Sequence, residues 1–331
     1  QDLSGWCVTN IPTEPTDFDT GATAWTLPRP VWGTCPTVGI DGKYQLIGQY
    51  TGDMLLSSDS GSTFGNTADS RDWFALGISG TGQYALGGTF STSTMQRSTD
   101  FGVTWSNTPY TLGQLRTISI SKSGEYQLYI SDGIGTNKVR ISSDFGVTFG
   151  NAGLAIAQGV YDSAISETGQ YISFATNNGP IYTSSDYGAT WQTRASSNPW
   201  RAITMTGDGQ TQLATGPTLN VWVSTDFGVT WIEKSSTSFG NFSLSISSDG
   251  SACYLAGNPN RLYKSVNLFS SVTPLTGSGI YFVEVATNGN GQYVLASYNG
   301  NGNQGYYKSD DFGATFTNIV SSVGILAVAI N

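Results

Sequence analysis

The amino-acid sequence predicts an all-β fold, a closed β-propeller of four-stranded antiparallel blades, and three observations support this prediction. An eight-residue motif, Ser-x-Asp-x-Gly-x-Thr-aromatic, recurs about every 40 residues, a period typical of propeller blades. A second motif, Gly followed by a polar residue and usually Tyr, lies between its copies. Runs rich in Val, Ile, Tyr, Phe, Trp and Thr flank both motifs and alternate with polar residues, as half-buried strands do.

The eight-residue motif, called the octapeptide below, has six close copies and one decayed copy. The close copies are Ser57–Phe64, Ser98–Trp105, Ser142–Phe149, Ser184–Trp191, Ser224–Trp231 and Ser309–Phe316. The decayed copy, Ser265–Val272, has Asn267 in place of Asp and Phe269 in place of Gly. Short acidic side chains accept backbone N–H bonds in turns, and each acid stands alone in its unit, so we expect a structural role rather than metal binding. The acids of the six close copies are Asp59, Asp100, Asp144, Asp186, Asp226 and Asp311. Asp19, near the N-terminus, is assigned the same role.

Each unit contains two turns and four apolar runs. The order is strand, Gly turn, strand, loop, strand, octapeptide turn and strand, as in the run from Leu115 through Gly124 to Phe149. Four short antiparallel strands in each repeat of this length indicate one propeller blade.

The blade count depends on the two ends of the chain. Seven units account for residues 36–320. Asp19 begins a motif like an octapeptide with one inserted residue, and residues 325–331 resemble an eighth first strand. The interval from Asp311 through both termini to Asp19 is close to one repeat. We therefore expect one domain, residues 1–331, with eight blades, seven being the alternative; residues 1–30 and 325–331 would pair to close the ring.

Composition excludes several function classes. The chain of 331 residues has a net charge of -9, a pI of about 4.3 and no histidine. Nucleic acid is therefore not an expected partner, since phosphate binding needs a concentrated basic face. No apolar run is long enough to insert into a membrane. Of three cysteines, Cys7 and Cys35 would lie near the ring closure and form a candidate disulfide, whereas Cys253 lies on an apolar strand and is expected to be a buried thiol.

The octapeptide resembles the Asp-box, or bacterial neuraminidase (BNR) repeat, of a β-propeller superfamily that includes sialidases, sortilin-type receptors and xyloglucan-cleaving enzymes. This resemblance covers nearly the whole repeat protein and implies the propeller fold. It does not select a function, because the motif occurs in enzymes, receptors and assembly factors alike.

The resemblance places binding at the face opposite the octapeptide turns, around the mouth of the channel. Variable loops on a rigid scaffold commonly carry function there. The candidate ligand-binding residues at that face are Arg71, Asp72, Trp73, Arg116, Tyr161, Asp162, Trp200, Arg201, Tyr281 and Glu284. Packing between blades is the alternative for the aromatic residues, and burial against acids such as Asp72 or Asp162 is the alternative for the arginines.

Sialidase-like residue types are present, with departures. Arg71, Arg116 and Arg201 could clamp a carboxylate, and Tyr161 beside Asp162 could act as a nucleophile with an acidic partner. The Phe/Tyr-Arg-Ile-Pro motif of sialidases is missing, and sialidases have six blades. Xyloglucan enzymes place their acids between two propellers, and this chain has one. We therefore assign no catalytic residue, metal or cofactor.

These observations favour a non-catalytic extracellular recognition module that binds a surface partner. A carbohydrate-binding role is preferred, because Tyr, Trp, Asn and Asp suit sugar stacking and hydroxyl bonding; a protein surface is the other partner class. The first alternative is a structural or attachment protein on a virus or phage particle, assembled on the virion surface. The second is a sialidase-like exo-glycosidase, a glycoside hydrolase. The expected location is extracellular, on a cell or on a virion.

Overall fold

The computed structural model describes residues 13–16, 18, 41–89, 95–110, 114–131, 138–216, 220–234, 241–257, 261–275, 280–300 and 303–331. The chain divides into two compact units, Gln1–Asp41 and Gly42–Asn331. In the first, the Phe18 amide donates a hydrogen bond to the Pro15 carbonyl. The second contains all the strands given below.

The described residues form seven antiparallel sheets, numbered here in chain order, and the second to the seventh follow the predicted order of strands. The first sheet, in spatial order from the inside, contains β27 (Ile325–Ile330), β1 (Gln45–Gln49), β2 (Gly52–Ser57) and β3 (Gly65–Arg71). The second contains β4 (Trp73–Ile78), β5 (Ala85–Thr89), β6 (Met95–Ser98) and β7 (Ser106–Asn107). The third contains β8 (Leu115–Ile120), β9 (Gln127–Ser131), β10 (Val139–Ser142) and β11 (Gly150–Asn151).

The fourth sheet contains β12 (Val160–Ile165), β13 (Ile172–Ser184) and β14 (Gln192–Pro199). Strand β13 continues through Asn178, which has a positive φ. Its first part pairs with β12 and its second part with β14, so β13 takes the place of the second and third strands of a four-stranded blade. The fifth contains β15 (Ala202–Met205), β16 (Gln212–Thr215), β17 (Val221–Ser224) and β18 (Ile232–Lys234). The sixth contains β19 (Asn241–Ile246), β20 (Cys253–Gly257), β21 (Arg261–Ser265) and β22 (Thr273–Pro274). The seventh contains β23 (Phe282–Thr287), β24 (Val294–Gly300), β25 (Asn303–Ser309) and β26 (Thr317–Ser321).

The prediction of eight blades is wrong, and the alternative of seven is correct for the described residues. The count assumed that the first unit supplies its own inner strand from residues just before Gly42. Strand β27 takes that place, pairing antiparallel with β1 from Gln45↔Ile330 to Gln49↔Ile325. The C-terminal strand is thus innermost, as expected, but it completes the first sheet. Residues 1–30 were predicted to help close the ring, but of these only residues 13–16 and 18 are described. The predicted turn acid Asp19 and the candidate disulfide partners Cys7 and Cys35 also lie outside the described residues.

Within the described part of the chain, the hydrophobic core consists of seven clusters, each contributed by two neighbouring sheets. Between the fourth and fifth sheets, for example, Ala175 and Ile181 pack against Trp200, Ile203 and Ala214. Such inter-sheet burial is the main stabilising term of a propeller, because a single four-stranded sheet cannot bury both of its faces alone. Cys253 lies in the cluster between the fifth and sixth sheets as a buried free thiol, as predicted, and burial raises its pKa to about 12.

The octapeptide forms the same hydrogen-bonded turn in each of its described copies, illustrated here by Ser184–Trp191. Oδ1 of Asp186 accepts the Ser184 hydroxyl and the Thr190 amide, both at 2.8 Å, and Oδ2 accepts the Thr190 hydroxyl at 2.6 Å. The Ser184 hydroxyl oxygen accepts the amide of Gly188, whose φ of +83° favours glycine. The Trp191 indole donates to the Gly188 carbonyl. The acid therefore organises the turn that joins two strands.

Aromatic pairs link the turns of neighbouring sheets. The Tyr that follows a Gly turn stacks on the residue after the octapeptide acid of the next sheet, with centroid distances of 4.5 to 4.9 Å. The pairs are Tyr44–Phe101, Tyr84–Phe145, Tyr126–Tyr187 and Tyr171–Phe227. The two recurring motifs thus meet across each of these sheet boundaries.

Replacing Asp186 by Ala is expected to lower the free energy of unfolding by about 1–3 kcal/mol, because the Thr190 amide and hydroxyl lose their acceptor. Asp186→Asn is the control and should cost less, since Asn267 supports the same turn in the sixth sheet. Urea denaturation measures both values. The structural role would be contradicted by a reduced affinity for a ligand at the opposite face together with an unchanged midpoint of unfolding.

No helix in the described part of the chain has both the length and the apolar character needed to cross a bilayer.

Candidate functional site

The candidate site lies where the inner strands begin, at the end of the molecule opposite the octapeptide turns. Each inner strand runs from this end to its Gly turn, and the Gly turn contacts the octapeptide turn of the same sheet, as the bond from the Tyr187 amide to the Gln170 carbonyl shows. We call this end the channel mouth. It is the end to which the candidate ligand-binding residues were assigned from the sequence.

Three consecutive sheets place Arg, Tyr and Arg at one equivalent position of the channel mouth. Arg116, Tyr161 and Arg201 each stand eight residues before the glycine of their turn. In the third and fourth sheets this position is a β-bulge, where the register shifts between Leu115 and Thr117 and between Val160 and Asp162. A bulge turns the extra residue away from the regular alternation of the strand, which presents Arg116 and Tyr161 at the end of the sheet.

Both arginines lie near the same tyrosine ring. The guanidinium carbon of Arg116 lies 5.9 Å from the centroid of the Tyr161 ring, and that of Arg201 lies 5.4 Å from it. These distances are within the range of cation–π attraction, which places both cations against one aromatic surface. All three side chains are half-buried, so parts of them remain accessible from solvent. We call these three residues the Arg–Tyr–Arg cluster.

Arg71 lies near a different aromatic ring. It ends β3, and its guanidinium carbon lies 5.9 Å from the centroid of the Trp73 ring. The next residue, Asp72, accepts the amide of Thr51 at 3.1 Å. The contacts therefore associate two of the three predicted arginines with Tyr161 and associate the third with Trp73.

The two candidate tryptophans are completely buried. Trp73 packs in the cluster between the first and second sheets, and Trp200 in the cluster between the fourth and fifth. The Trp200 indole also donates to the Ser196 carbonyl and meets Trp222 edge-on, with ring centroids 5.7 Å apart. Both residues pack between blades, the alternative that their positions left open. Tyr281, by contrast, is 43% exposed at the start of the seventh sheet.

Asp162 and Glu284 connect neighbouring inner strands by accepting backbone amides. Asp162 accepts the amide of Ile203 in the fifth sheet at 3.0 Å and its own neighbour's amide, Ser163, at 2.8 Å. Glu284 accepts the amide of Val328 in β27 at 2.8 Å. Each acid thus joins its sheet to the next one, which is a structural use of the side chain.

Both acids face a central cavity of about 240 Å³ lined by the inner strands of all seven sheets. Their side chains are half-buried, yet protein atoms surround them closely, and this burial raises the pKa of Asp162 to about 7 and that of Glu284 to about 8. The accepted amides act in the opposite direction, and the charge of Asp162 adds to the rise at Glu284. Each carboxyl group is therefore substantially protonated near neutral pH, Glu284 more than Asp162.

Sequence reasoning missed this bridging position, although a signal for it exists. Thr117, Asp162, Ser243 and Glu284 each stand seven residues before a turn glycine. Ser243 accepts the amide of Val285, and Thr117 bonds to the Ser163 hydroxyl. A polar side chain recurring at one register position of apolar inner strands indicates bonding between sheets.

The chemistry available at the channel mouth is binding of an anion. Two planar guanidinium groups suit carboxylate or sulfate oxygens, because each can offer two parallel N–H donors. Across the described residues, no group of three or more His, Cys, Asp or Glu side chains could hold a metal ion.

Comparisons with known proteins identify the fold. No protein-family model matches the chain, and no curated protein matches it. Among solved structures, a GH74 xyloglucanase from Xanthomonas campestris has a TM-score of 0.63 and 15% identity over 88% of this chain and 53% of its own. YCF48 bound to D1 peptide has a TM-score of 0.57 and 14% identity over 83% of this chain and 85% of its own. A structure described as a nidogen/laminin complex has a TM-score of 0.56 and 11% identity, covering 87% and 97%.

At such identities a structural likeness shows the fold alone. The xyloglucanase and YCF48 are β-propellers, and this chain has the β-propeller architecture that they share.

Proposed function

We propose that the protein is a non-catalytic recognition module that binds an acidic glycan displayed on a surface, through the Arg–Tyr–Arg cluster. The observation that carries the proposal is that the guanidinium carbons of Arg116 and Arg201 both lie near the Tyr161 ring, at 5.9 and 5.4 Å from its centroid. We further propose that the chain belongs to the Asp-box propellers, and that it acts outside the cell, on a cell surface or a virion surface.

An acidic sugar fits the chemistry of this cluster. A carboxylate on the sugar would pair with the guanidinium groups, and the apolar face of the pyranose ring would contact Tyr161. The chain as a whole is acidic, with a net charge of -9. A pair of arginines at the channel mouth would therefore attract an anionic ligand to this end rather than to the rest of the surface.

The position of Asp162 supports binding rather than catalysis. A carboxyl group that acts as an acid or base must reach the reacting atoms of the substrate. Asp162 instead accepts the amides of Ile203 and Ser163 within the wall of the central cavity. A sialidase-like activity is the second candidate, because Tyr161 beside two arginines has the residue types of a tyrosine nucleophile with a carboxylate clamp.

Binding to a sialylated trisaccharide and to its neutral, asialo counterpart tests the proposal. Wild-type protein is expected to bind the acidic sugar at least about tenfold more tightly, the size expected for charge-assisted bonds of about 1.5–3 kcal/mol. Arg116→Ala and Arg201→Ala should each abolish this preference. Arg97→Ala is the matched control, because Arg97 lies at the octapeptide end and bonds to the Phe145 carbonyl.

The result against the proposal is equal affinity for the two sugars, or a preference that survives both cluster variants while the protein remains folded. A fluorogenic sialoside measures the second candidate with the same variants. Turnover by wild type that disappears in Tyr161→Phe would replace the binding proposal by the enzymatic one.

A further inference from the structure

The octapeptide end of the molecule contains a recurring gap. It lies between the two outer strands of one sheet and the octapeptide turn of the next sheet. Two repeat positions border each gap: the residue just before the octapeptide Ser, on the third strand, and the residue ten positions after that Ser. In the gap between the third and fourth sheets these are Ile141 and Ala152.

In four gaps, a side chain from one of these two positions donates to a backbone carbonyl of the next octapeptide turn. Arg97 donates to the Phe145 carbonyl, and Lys264 to the Phe312 carbonyl. Lys308 donates to the carbonyl of Gly61, and the Thr67 hydroxyl to the carbonyl of Gly102. Three of these donors are cationic. The exposed carbonyls of the turn therefore form an acceptor site that the chain itself fills with an ammonium, guanidinium or hydroxyl group.

The third gap lacks such a donor in its sequence. At the two positions the seven gaps carry, in chain order, Leu56 and Thr67, Arg97 and Thr108, Ile141 and Ala152, Thr183 and Arg194, Val223 and Lys234, Lys264 and Leu275, and Lys308 and Ile319. Six pairs contain a side chain with an N–H or O–H donor. The pair Ile141 and Ala152 contains none, so neither residue can supply a bond to the carbonyls of the turn at Asp186–Gly188.

This third gap is also open. It holds a cavity of about 350 Å³, lined in part by Ile141, Asn151 and the turn residues Asp186 and Tyr187. The equivalent gap between the seventh and first sheets, where Lys308 occupies the third-strand position, holds about 50 Å³. The difference has a local cause: Gly150 and Ala152 on the outer strand add little volume, and Ile141 packs under Gly188.

The walls of the cavity suit a cation with an aliphatic stem. Tyr126 and Tyr187 pack against each other with ring centroids 4.7 Å apart, and Tyr187 is 43% exposed. Ile141 adds an apolar side chain to the lining, and Asp186 adds a carboxylate. Bonds from Thr190 hold the pKa of Asp186 below its ordinary value, so this carboxylate is charged at neutral pH. Cation–π attraction and the carboxylate both favour a positive group here.

We propose that this cavity is a binding site for a lysine or arginine side chain presented by a protein partner. Three sister gaps hold a lysine or arginine of the chain itself, Arg97, Lys264 or Lys308, bonded to a carbonyl of the next octapeptide turn. A partner's side chain would extend over Ile141 and place its cationic head between Asp186 and the carbonyls of the turn. This site lies at the end opposite the Arg–Tyr–Arg cluster and is independent of the proposed function.

Titration with capped pentapeptides tests the proposal, with Lys, Arg, norleucine or Glu as the central residue between glycines. Methyl NMR signals of Ala152 and Ala189, which border the cavity, report binding at this site. The Lys and Arg peptides are expected to shift these signals, with about fivefold higher affinity than the norleucine peptide, because the carboxylate of Asp186 attracts the cationic head. The Glu peptide should not bind. The n-butylammonium ion, which has no peptide backbone, should bind more weakly than the Lys peptide.

Two variants and one control complete the experiment. Ile141→Lys introduces the side chain that the sister gaps already hold; it should fold normally and abolish binding of the Lys peptide. Asp186→Asn, which Asn267 shows to be compatible with the turn, should weaken that binding severalfold. Leu56→Lys makes the same change at the equivalent position of the first gap and should leave binding unchanged.

Three results would overturn the inference. The first is equal binding of the Lys and norleucine peptides, and the second is full binding by folded Ile141→Lys protein. The third is n-butylammonium binding as tight as that of the Lys peptide, which would identify a site for small amines rather than for a protein partner.

Discussion

Replacing Trp200 by Ala is expected to lower the free energy of unfolding by about 3–5 kcal/mol, as deletion of a large buried aromatic side chain does. Trp200 is completely buried among Ile181, Ile203 and Ala214 of the fourth and fifth sheets. The substitution leaves a cavity between the two sheets, and it removes the indole bond to the Ser196 carbonyl.

Two further variants define this effect by urea denaturation. Trp200→Phe retains part of the apolar area and should cost less, about 1–3 kcal/mol. Trp191→Ala removes a half-buried octapeptide indole and should also cost less than Trp200→Ala. A loss below about 1 kcal/mol for Trp200→Ala would contradict inter-sheet packing as the main source of stability.

The free energy of unfolding is expected to fall as the pH rises from about 4 to about 8, because of the two carboxyl groups that face the central cavity. Burial raises the pKa of Asp162 from 3.8 to about 7 and that of Glu284 from 4.5 to about 8. Below the ordinary pKa, folded and unfolded chains both hold the proton. Between the ordinary and the raised pKa, only the folded chain holds it, so each acid contributes a decrease of up to about 1.4 kcal/mol per pH unit.

The double variant Asp162→Asn, Glu284→Gln removes both titrations and keeps an oxygen acceptor for the amides of Ile203 and Val328. Its unfolding free energy, measured from pH 4.5 to 8.5, should be nearly independent of pH. Lys122→Ala is the control, since it removes an exposed ion pair with Glu167 and should preserve the wild-type slope. A wild-type profile that is flat in this range, or a double variant with the wild-type slope, would contradict the prediction.

The octapeptide acids affect the free energy of unfolding in a lower pH range and in the opposite direction. Bonds from Thr63 lower the pKa of Asp59 to about 2, and bonds from Thr315 do the same for Asp311. Their stabilising contribution is present above the ordinary pKa of 3.8 and is lost as the pH falls toward 2. The two groups of acids therefore change the stability in opposite directions: Asp162 and Glu284 lower it as the pH rises above about 4, and the octapeptide acids lower it as the pH falls below about 4.

Much of the repeat architecture could be predicted from particular residues. The period of the octapeptide, with Asp59 and Asp186 as examples, requires one turn in each unit, and the Gly turns require another. Local hydrogen bonds and the alternation of apolar with polar residues determine these features, and both can be recognised within a short stretch of sequence. The burial of Cys253 on an apolar strand followed from the same kind of pattern.

The number of blades could not be obtained in this way, because it depends on which distant segment pairs with β1. Residues 325–330 have the pattern of an inner strand, and that pattern is equally compatible with an eighth sheet or with the first. The choice is made by backbone hydrogen bonds between residues about 280 positions apart, such as Gln45 and Ile330. No local feature of either segment contains that information.

In the candidate site, too, some features follow from the sequence and others depend on the tertiary structure. The sequence by itself determined that Arg116, Tyr161 and Arg201 occupy equivalent places in successive repeats, because the distance to the turn glycine is the same in each. Only the tertiary structure decided that both arginines lie near one tyrosine ring, that Trp73 and Trp200 are buried, and that Asp162 and Glu284 bond to the next sheet. The physical reason is that repeat spacing specifies height along a blade, whereas side-chain direction depends on bulges and on packing between neighbouring sheets.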